Sequence, residues 1–255
     1  MILRDFLKNP KNEIPGWLYS MLGLLDPAAD QRLKPYYDFI IRESHRIAGD
    51  IAEFGIFQGC SLLSTSLLLT RLKSRKTVLG FDFFSGFPKP HANDDHRMFD
   101  ALHRRGAITD EHYRAVGLFR EARKHAFYRS WGENRFRDTS LAALKKRIRT
   151  FGLTNIRVFP GAFKDALHRV PAATRYAACL LDGDLYCSYR DVLEHCWSKL
   201  HPGGFIYMDE YYSLRYPGPR IAVDAFCAKR GISPQRAMGY DRPSEFERWF
   251  LRKPF

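Results

Sequence analysis

The apolar residues of this chain fall into short runs that alternate with segments of helical periodicity. Five runs have the length and composition of buried strands, at 51–54, 77–81, 156–159, 176–181 and 204–208. Segments with a helical pattern lie between them, at about 61–72, 140–150 and 189–200. This alternation predicts an α/β fold in which a parallel sheet carries helices on both faces.

The two ends of the chain extend this pattern. Residues 16–49 predict two helices that are separated near Asp26 and Pro27. Residues 235–240 and 247–253 predict a last pair of strands that closes the sheet in antiparallel orientation. We therefore expect a Rossmann-like, mostly parallel, seven-stranded sheet in a single domain over residues 1–255, with N-terminal helices within residues 1–49.

Residues 89–138 interrupt the alternation. This segment is rich in arginine and aromatic residues, shows no strand pattern, and contains His91, His96, His103, His112 and His125. An insertion after the second strand lies above the carboxyl edge of an open sheet, where ligands bind. We interpret the segment as a helical lid; the alternative is a surface insertion that takes no part in binding.

Composition narrows the class of protein only slightly. The 41 Lys and Arg against 28 Asp and Glu give a net charge of +13. This charge is scattered over the solvated faces of helices, so we do not expect a nucleic-acid partner. No apolar run has the length of a signal peptide or a membrane span, and the five cysteines have no CxxC spacing. We expect a cytoplasmic protein without disulfides and without membrane attachment.

A glycine loop follows the first predicted strand, where residues 53–61 read EFGIFQGCS. Gly55 and Gly59 permit a tight turn and a close approach of the backbone to a ligand, and the helix behind them presents free N–H groups. The third glycine of a dinucleotide-binding loop is missing, and the acidic Glu53 stands at the end of the strand. This combination suits a ligand with a positively charged amino acid part, such as S-adenosylmethionine.

An acidic residue, Asp82, stands at the end of the second predicted strand. In a Rossmann-like sheet a carboxylate at this place can accept hydrogen bonds from both ribose hydroxyls. The alternative role for Asp82 is the cap of a turn or helix. Together with the glycine loop, Asp82 predicts a nucleoside ligand.

Three acidic residues follow two neighbouring strands of the predicted sheet. Asp182 comes after the fourth strand, and Asp209 and Glu210 come after the fifth. Neighbouring strand ends lie about 5 Å apart, so these carboxylates can converge, and they would repel one another unless a cation lay between them. Oxygen ligands favour Mg²⁺, Ca²⁺ or Mn²⁺. The alternative is that Asp182 and Asp209 cap the helices that follow.

Five motifs occur in an order that resembles the macrocin O-methyltransferase family, which methylates sugar hydroxyls in antibiotic pathways. They are EFGIFQGCS at 53–61, FDFFSGFP at 81–88, PGAFKD at 160–165, LDGDLY at 181–186, and PGG at 202–204 leading to Asp209-Glu210-Tyr211. LDGDLY is the most specific of them, and the resemblance covers about 51–89 and 139–253. It implies a class I methyltransferase fold, S-adenosylmethionine and Mg²⁺.

The resemblance also implies roles for individual residues. The candidate cofactor-binding residues are Glu53, Gly55, Phe57, Gly59, Ser61, Asp82, Gly161 and Phe163, with residues 161–163 beside the adenine. The metal positions fall on Asp182, Asp209 and Glu210.

This chain departs from the family pattern in three places. Glu210 stands where the family usually has an aspartate, which puts the ligand geometry and the choice of metal in doubt. The more distantly similar catechol O-methyltransferases have a lysine where this chain has Leu185, so a lysine base is excluded at that position. The segment 89–138 is longer than expected for the family, which points to an unusual acceptor.

The reaction implied is direct transfer of a methyl group to a hydroxyl of a small molecule, a sugar or other natural-product intermediate. A metal would lower the pKa of that hydroxyl, and alignment of the two reactants would supply much of the rate. The candidate catalytic residues are Asp182 and Asp184; Asp184, a metal-bound carboxylate, His91 and His96 are all candidates for the base. The N-terminal helices could form an interface in a homo-oligomer.

Other classes of function stay open at this point. A degenerate methyltransferase fold could serve as a binding or scaffold protein, with Glu210 as its first altered residue. A nucleic-acid methyltransferase would use the positive charge, but the Asn/Asp-Pro-Pro-aromatic motif of the base methyltransferases is absent. A nicotinamide dehydrogenase would require a third glycine in the loop.

Overall fold

The computed structural model describes residues 3–125, 139–237 and 247–255. Its N-terminal part is helical, with α1 (Leu3–Lys8), α2 (Gly16–Met21) and α3 (Lys34–Arg42), followed by a 3-10 turn at Ser44–Arg46. Helices α2 and α3 confirm the predicted pair. Helix α1 was not predicted from the sequence.

A seven-stranded sheet forms the centre of the fold. Its strands are β1 (Asp50–Phe54), β2 (Val78–Asp82), β3 (Ile156–Pro160), β4 (Tyr176–Leu181), β5 (Leu200–Met208), β6 (Gln235–Arg236) and β7 (Trp249–Arg252). Their order across the sheet is β3-β2-β1-β4-β5-β7-β6. The first five strands are parallel, β7 is antiparallel to β5, and β6 is antiparallel to β7. The predicted α/β class and the antiparallel closing pair are confirmed.

Seven further helices lie along the chain between these strands in the described residues. They are α4 (Cys60–Arg71), α5 (Met98–Arg104), α6 (Asp110–Ala122), α7 (Leu141–Phe151), α8 (Phe163–Leu167), α9 (Tyr186–Lys199) and α10 (Gly218–Arg230). Helix α7 shows how local sequence sets the ends: the hydroxyl of Ser140 accepts the N–H of Ala143 at its start, and Gly152 at φ 60° follows its end. Helices α8 and α10 were not predicted. Over the ranges that the structure describes, no helix combines the length and apolarity needed to span a bilayer.

Apolar layers cover both faces of the sheet. All six residues of β4 are buried, as expected for a central strand of a parallel sheet. One face packs on α3, α4 and α7, and the other packs on α8, α9 and α10. Phe54, Phe81 and Phe159 stack across β1, β2 and β3, with ring centroids 4.5 Å and 4.8 Å apart. This core fixes the strand ends from which the candidate site is built.

The described part of the insertion, residues 89–125, is helical. Helices α5 and α6 enclose a small core of Phe99, Leu102, Ile108 and Val116, and Leu214 and Ile221 pack against this core from the segment after β5. The insertion therefore rests on the segment that follows β5. The rest of the predicted lid, residues 126–138, lies outside the described residues.

Candidate active site

A large cleft opens at the carboxyl ends of the central strands, the edge at which open α/β sheets bind ligands. Its volume is about 1030 Å³, at the upper end of the usual range for small-molecule sites. We call the part formed by the ends of β1 and β2 the cofactor half, and the part formed by the ends of β4 and β5 the carboxylate half. The cleft is large enough for a nucleoside and a second small molecule together.

In the cofactor half, a side chain at either glycine of the loop would collide with a neighbouring residue. Gly55 has φ +97°, and a Cβ there would lie 1.8 Å from the carbonyl oxygen of Asp182. Gly59 has φ +85° at the start of α4, and a Cβ there would lie 2.4 Å from Leu144. The positive φ favours glycine at both positions, and at Gly55 the backbone of Asp182 also leaves no room for a side chain.

Asp82 holds this loop in shape. One carboxylate oxygen, Oδ2, accepts the N–H groups of Ile56 and Phe57, both at 2.8 Å, and Oδ1 accepts the N–H of Phe84 at 2.8 Å. The turn-capping role that the sequence left open is therefore present. Asp82 also lines the cleft, and its role in binding a ribose stays a prediction.

Glu53 lies behind the loop and not on the surface of the cleft. Its side chain is fully buried and accepts a hydrogen bond from the hydroxyl of Ser61, which does line the cleft. Burial raises the pKa of Glu53 to about 8. This placement lets Glu53 orient Ser61 from behind, and its predicted direct role in binding the cofactor stays a prediction.

The other predicted cofactor residues divide in the same way. Five of the eight line the cleft: Gly55, Phe57, Ser61, Asp82 and Phe163. Glu53, Gly59 and Gly161 do not line it. Ala162, within the range 161–163 that the resemblance places beside the adenine, lines the cleft as well, and so do Leu25 and Cys60, which were not predicted.

In the carboxylate half, all three predicted metal residues line the cleft, together with Asp184. One carboxylate oxygen from each of Asp182, Asp184 and Glu210 lies within 4.8 Å of the other two. Asp184 has φ 60°, in the left-handed region, at the turn between β4 and α9. Asp209 lies beside this group, and its Oδ1 is buried without a hydrogen-bond partner among the described residues.

The carboxylates of this half lie so close together that their negative charges repel one another. Burial, followed by the charges of Asp182 and Asp184, raises the pKa of Glu210 well above its ordinary value. Burial also raises the pKa of Asp209, although Arg32 acts in the opposite direction. Oxygen donors that are buried, crowded and in part unpaired are the donor set that a hard divalent cation takes. The residues present therefore fit such an ion.

Two neighbours of the carboxylates were missed by the sequence analysis. The hydroxyl of Tyr189 on α9 donates to Oε2 of Glu210 at 2.7 Å, which fixes that side chain. The Nη1 of Arg32, from the segment before α3, donates to Oδ2 of Asp182 at 2.9 Å and to Oδ2 of Asp209 at 2.7 Å. Arg32 is 150 residues from Asp182 along the chain, and no local sequence signal pairs them.

Of the candidate bases, Asp184 lines the cleft and the two histidines do not. His91 stacks on Tyr186 with ring centroids 4.7 Å apart, and its Nδ1 accepts the N–H of Asn93. His96 packs against Phe99 with ring centroids 5.0 Å apart. These placements favour Asp184 or another carboxylate of the cluster over either histidine.

The insertion reaches the wall of the cleft through a different histidine. The ring of His112 on α6 stacks on Tyr212 with centroids 3.9 Å apart, and its Nε2 lies 2.8 Å from the carbonyl oxygen of Ser213. Tyr212 and Ser213 line the cleft, as do Lys89 and Phe119 of the insertion itself. The insertion thus forms part of the cleft, although lid closure stays a prediction.

Comparison with known proteins gives the same class as the fold and the cleft. The model of the family described as Macrocin-O-methyltransferase (TylF) matches residues 121–238. Mycinamicin III 3''-O-methyltransferase of Micromonospora griseorubida is 31% identical over 74% of this chain and 64% of that protein. The 8-demethyl-8-(2,3-dimethoxy-alpha-L-rhamnosyl)-tetracenomycin-C 4'-O-methyltransferase of Streptomyces olivaceus is 30% identical over 73% of this chain and 61% of that protein.

A solved structure extends the likeness over most of the chain. The O-methyltransferase NovP is 25% identical, with a TM-score of 0.62, over 88% of this chain and 80% of that one. The fold is therefore that of the class I O-methyltransferases, and the resemblance to the macrocin O-methyltransferase family is confirmed. The matched part of this chain spans slightly less than two thirds of the mycinamicin and tetracenomycin relatives.

Proposed function

We propose that this protein is an S-adenosylmethionine- and divalent-metal-dependent O-methyltransferase that acts on a hydroxyl of a small molecule. The single observation that carries the proposal is that one cleft joins the glycine loop and Asp82 to a cluster of four carboxylates. A nucleoside cofactor at the first and an activated hydroxyl at the second would lie side by side. Because both reactants would then be bound next to each other, the bimolecular reaction would become effectively unimolecular.

The cofactor half would bind S-adenosylmethionine through its backbone and a few side chains. The N-terminal end of α4 offers free N–H groups to the carboxylate of the cofactor's amino acid part. Asp82 lies at the end of β2, where a ribose is bound in this type of sheet, and Phe163 lines the same cleft. When bound, the cofactor supplies a methyl group on a positively charged sulfur.

The carboxylate half would hold Mg²⁺, Mn²⁺ or Ca²⁺ through Asp182, Asp209 and Glu210. An ion held there lowers the pKa of an acceptor hydroxyl and orients it. Asp184 is the residue that we assign as the base: it lines the cleft beside the ligands and can hold the hydroxyl proton at a carboxylate oxygen. Leu185, which stands where the catechol O-methyltransferases have a lysine, is a buried apolar residue, so no lysine acts as the base from this position.

The acceptor in this proposal is a sugar or another intermediate of natural-product biosynthesis. The relative from Streptomyces olivaceus carries a rhamnosyl compound in its name, and a cleft of this volume accommodates a sugar beside the cofactor. We further propose that residues 89–138 cover the bound acceptor and that the chain acts as one domain. The contact of His112 with Tyr212 supports this role of the insertion.

Calorimetric titration tests the proposal. S-adenosylmethionine and MgCl₂ are titrated separately into the wild-type protein, Asp182→Asn, and Asp191→Asn as a matched control, because Asp191 is a cleft acid outside the carboxylate cluster. We expect both ligands to bind the wild type and the control. In Asp182→Asn we expect Mg²⁺ affinity to fall by more than about 100-fold, because even residues behind metal ligands contribute roughly 10- to 100-fold.

Each ligand can contradict a different part of the proposal. Binding of the cofactor without any Mg²⁺ isotherm would retain a methyltransferase and rule out its metal dependence. Absence of cofactor binding in the wild type would contradict the proposed activity and favour a scaffold protein.

A further inference from the structure

Arg32 occupies the space between two of the proposed metal ligands. A single nitrogen, Nη1, donates to Oδ2 of Asp182 at 2.9 Å and to Oδ2 of Asp209 at 2.7 Å. The two carboxylates are 20% and 12% exposed, so water screens this interaction only in part. The guanidinium thus partly balances the negative charges of Asp182 and Asp209.

Hydrogen bonds hold the backbone of Arg32 in place, while its side chain is partly exposed to solvent. The carbonyl oxygen of Arg32 accepts a hydrogen bond from the hydroxyl of Tyr207 on β5. The next residue, Leu33, is fully buried, and its N–H donates to Asp30 at 2.7 Å. The side chain of Arg32 is 40% exposed. The guanidinium can therefore turn towards solvent without unfolding the segment before α3.

A metal ion held by Asp182 and Asp209 would lie close to this guanidinium, whichever of their oxygens it used. A carboxylate oxygen that coordinates Mg²⁺ at about 2.0–2.1 Å brings the ion within a few ångströms of any cation bonded to that oxygen. Two positive charges at that separation repel each other strongly in a partly buried site. An ion on Asp182 and Asp209 would therefore strongly disfavour the position of the Arg32 guanidinium seen here.

We propose that Arg32 is a built-in competitor of the divalent cation, which must displace the guanidinium from Asp182 and Asp209 to bind. This inference rests on the proposed metal dependence of the protein. Arg32 balances the acids until the ion arrives, and it sets the ion concentration at which the site fills. It is a positioning residue for the site, and it takes no part in methyl transfer.

The test is calorimetric titration of MgCl₂ into the full-length wild type, Arg32→Met and Arg32→Lys. Loss of the competing charge in Arg32→Met should tighten Mg²⁺ binding by about five- to tenfold, the order expected for charge-assisted bonds of a partly exposed guanidinium. Arg32→Lys retains the charge, so its Mg²⁺ affinity should stay close to that of the wild type. Arg230→Met, which removes a partly buried arginine paired with Glu194 and not lining the cleft, is the control and should leave the affinity unchanged.

Thermal unfolding provides a second readout that does not depend on activity. Arg32→Met should unfold at a lower temperature than the wild type in EDTA, because like charges are then left unbalanced, and Mg²⁺ should raise its unfolding temperature by more than it raises that of the wild type. A melting transition in EDTA also shows that the variant is folded.

The outcomes separate this inference from the function on which it rests. Mg²⁺ binding to the wild type with equal or weaker binding to Arg32→Met would overturn the competition and leave the metal-dependent enzyme intact. Tighter binding to Arg32→Met, or binding seen in that variant alone, supports the competition. Absence of Mg²⁺ binding in all variants overturns both.

Discussion

The cofactor half and the carboxylate half of the cleft are stabilised in different ways. In the cofactor half, most polar groups are paired: Asp82 accepts three backbone N–H groups, and Oε1 of Glu53 accepts the hydroxyl of Ser61, while Oε2 of Glu53 alone lacks a partner among the described residues that form this half. In the carboxylate half, the acids crowd one another, Glu210 has a strongly raised pKa, and Oδ1 of Asp209 lacks a hydrogen-bond partner among the described residues.

This difference indicates what each half is prepared to do. A loop whose shape is already held by internal hydrogen bonds can bind a ligand with little loss of conformational freedom. Crowded carboxylates store unfavourable electrostatic energy that a cation relieves on binding. We infer that the cofactor half selects its ligand mainly by shape and that the carboxylate half selects its ligand mainly by positive charge.

The largest effect is expected where the two halves touch. In Gly55→Ala the new Cβ would collide with the carbonyl oxygen of Asp182, and the backbone would be held at an unfavourable positive φ. We expect a loss of about 2–5 kcal/mol in the free energy of unfolding, measured by denaturant titration, from strain and overpacking together.

The matched control is Gly106→Ala, which also has a positive φ of 68° but meets no heavy atom within 4 Å. It should cost about 1 kcal/mol, since only the backbone conformation is unfavourable. Equal losses in the two variants would mean that the contact between Gly55 and Asp182 does not constrain the cleft.

The next effect tests whether the halves act independently. Asp82→Ala removes the acceptor of two N–H groups of the glycine loop and of the N–H of Phe84, and it should weaken binding of S-adenosylmethionine by about 100-fold or more. Mg²⁺ affinity should change by less than about twofold, because Asp82 is not part of the carboxylate cluster. Both are read by calorimetry. A parallel loss of Mg²⁺ affinity would show that the halves are coupled and would break the comparison.

A smaller effect concerns the buried acid of the cofactor half. The folded-state pKa of Glu53, about 8, lies above that of an exposed carboxyl. Between about pH 5 and pH 8 the folded protein therefore binds a proton that the unfolded chain has lost, so its stability falls as pH rises through this window.

Glu53→Gln should remove this contribution. The difference in the free energy of unfolding between wild type and variant should change by up to about 1.4 kcal/mol per pH unit across the window. Glu43→Gln, which removes a partly exposed carboxyl paired with Arg252, is the control. If the pH dependence of Glu53→Gln matches that of the wild type, Glu53 is not protonated in the folded protein.

The smallest effect concerns the insertion. His112→Ala removes the stacking on Tyr212 and the contact with the Ser213 carbonyl oxygen, so we expect a loss of about 1–2 kcal/mol in stability. Burial lowers the pKa of His112 to about 4. Between about pH 6.5 and pH 4 the unfolded chain therefore binds a proton that the folded wild type does not bind, so the free energy of unfolding of the wild type should decrease as pH falls through this window. His103→Ala, on the partly exposed ring that stacks on Tyr113, is the control. If His112→Ala and His103→Ala have the same free energy of unfolding, the contact of His112 with Tyr212 and Ser213 does not stabilise the insertion.

The central strands could be predicted from sequence because they are buried on both faces and therefore read as continuous apolar runs. Strand β4 matches its predicted bounds, and β1 and β2 differ from theirs by one residue. The strand ends also carried the carboxylates, since the residue that follows a parallel strand lies at the ligand-binding edge. Sequence order and sheet geometry were sufficient for both.

Other features were harder to predict, for different physical reasons. Helix α10 was not predicted, although Pro219 near its start and Gly231 after its end are boundary signals that the sequence carries. The bridge from Arg32 to the carboxylates arises from tertiary packing alone, and no local pattern encodes it. The inward position of Glu53 likewise depends on burial behind Ser61 and could not be distinguished from a direct contact.

The most direct test of the account is a crystal structure of the protein with MnCl₂ and S-adenosylhomocysteine, with the metal located by its anomalous signal. We predict one strong anomalous peak in the cleft, within coordination distance of Asp182 and Glu210, with the nucleoside bound against the glycine loop and Asp82. The guanidinium of Arg32 should have left Asp182 and Asp209. A nucleoside in place with no peak at the carboxylates, and Arg32 still bridging them, would contradict metal-dependent methyl transfer at this site.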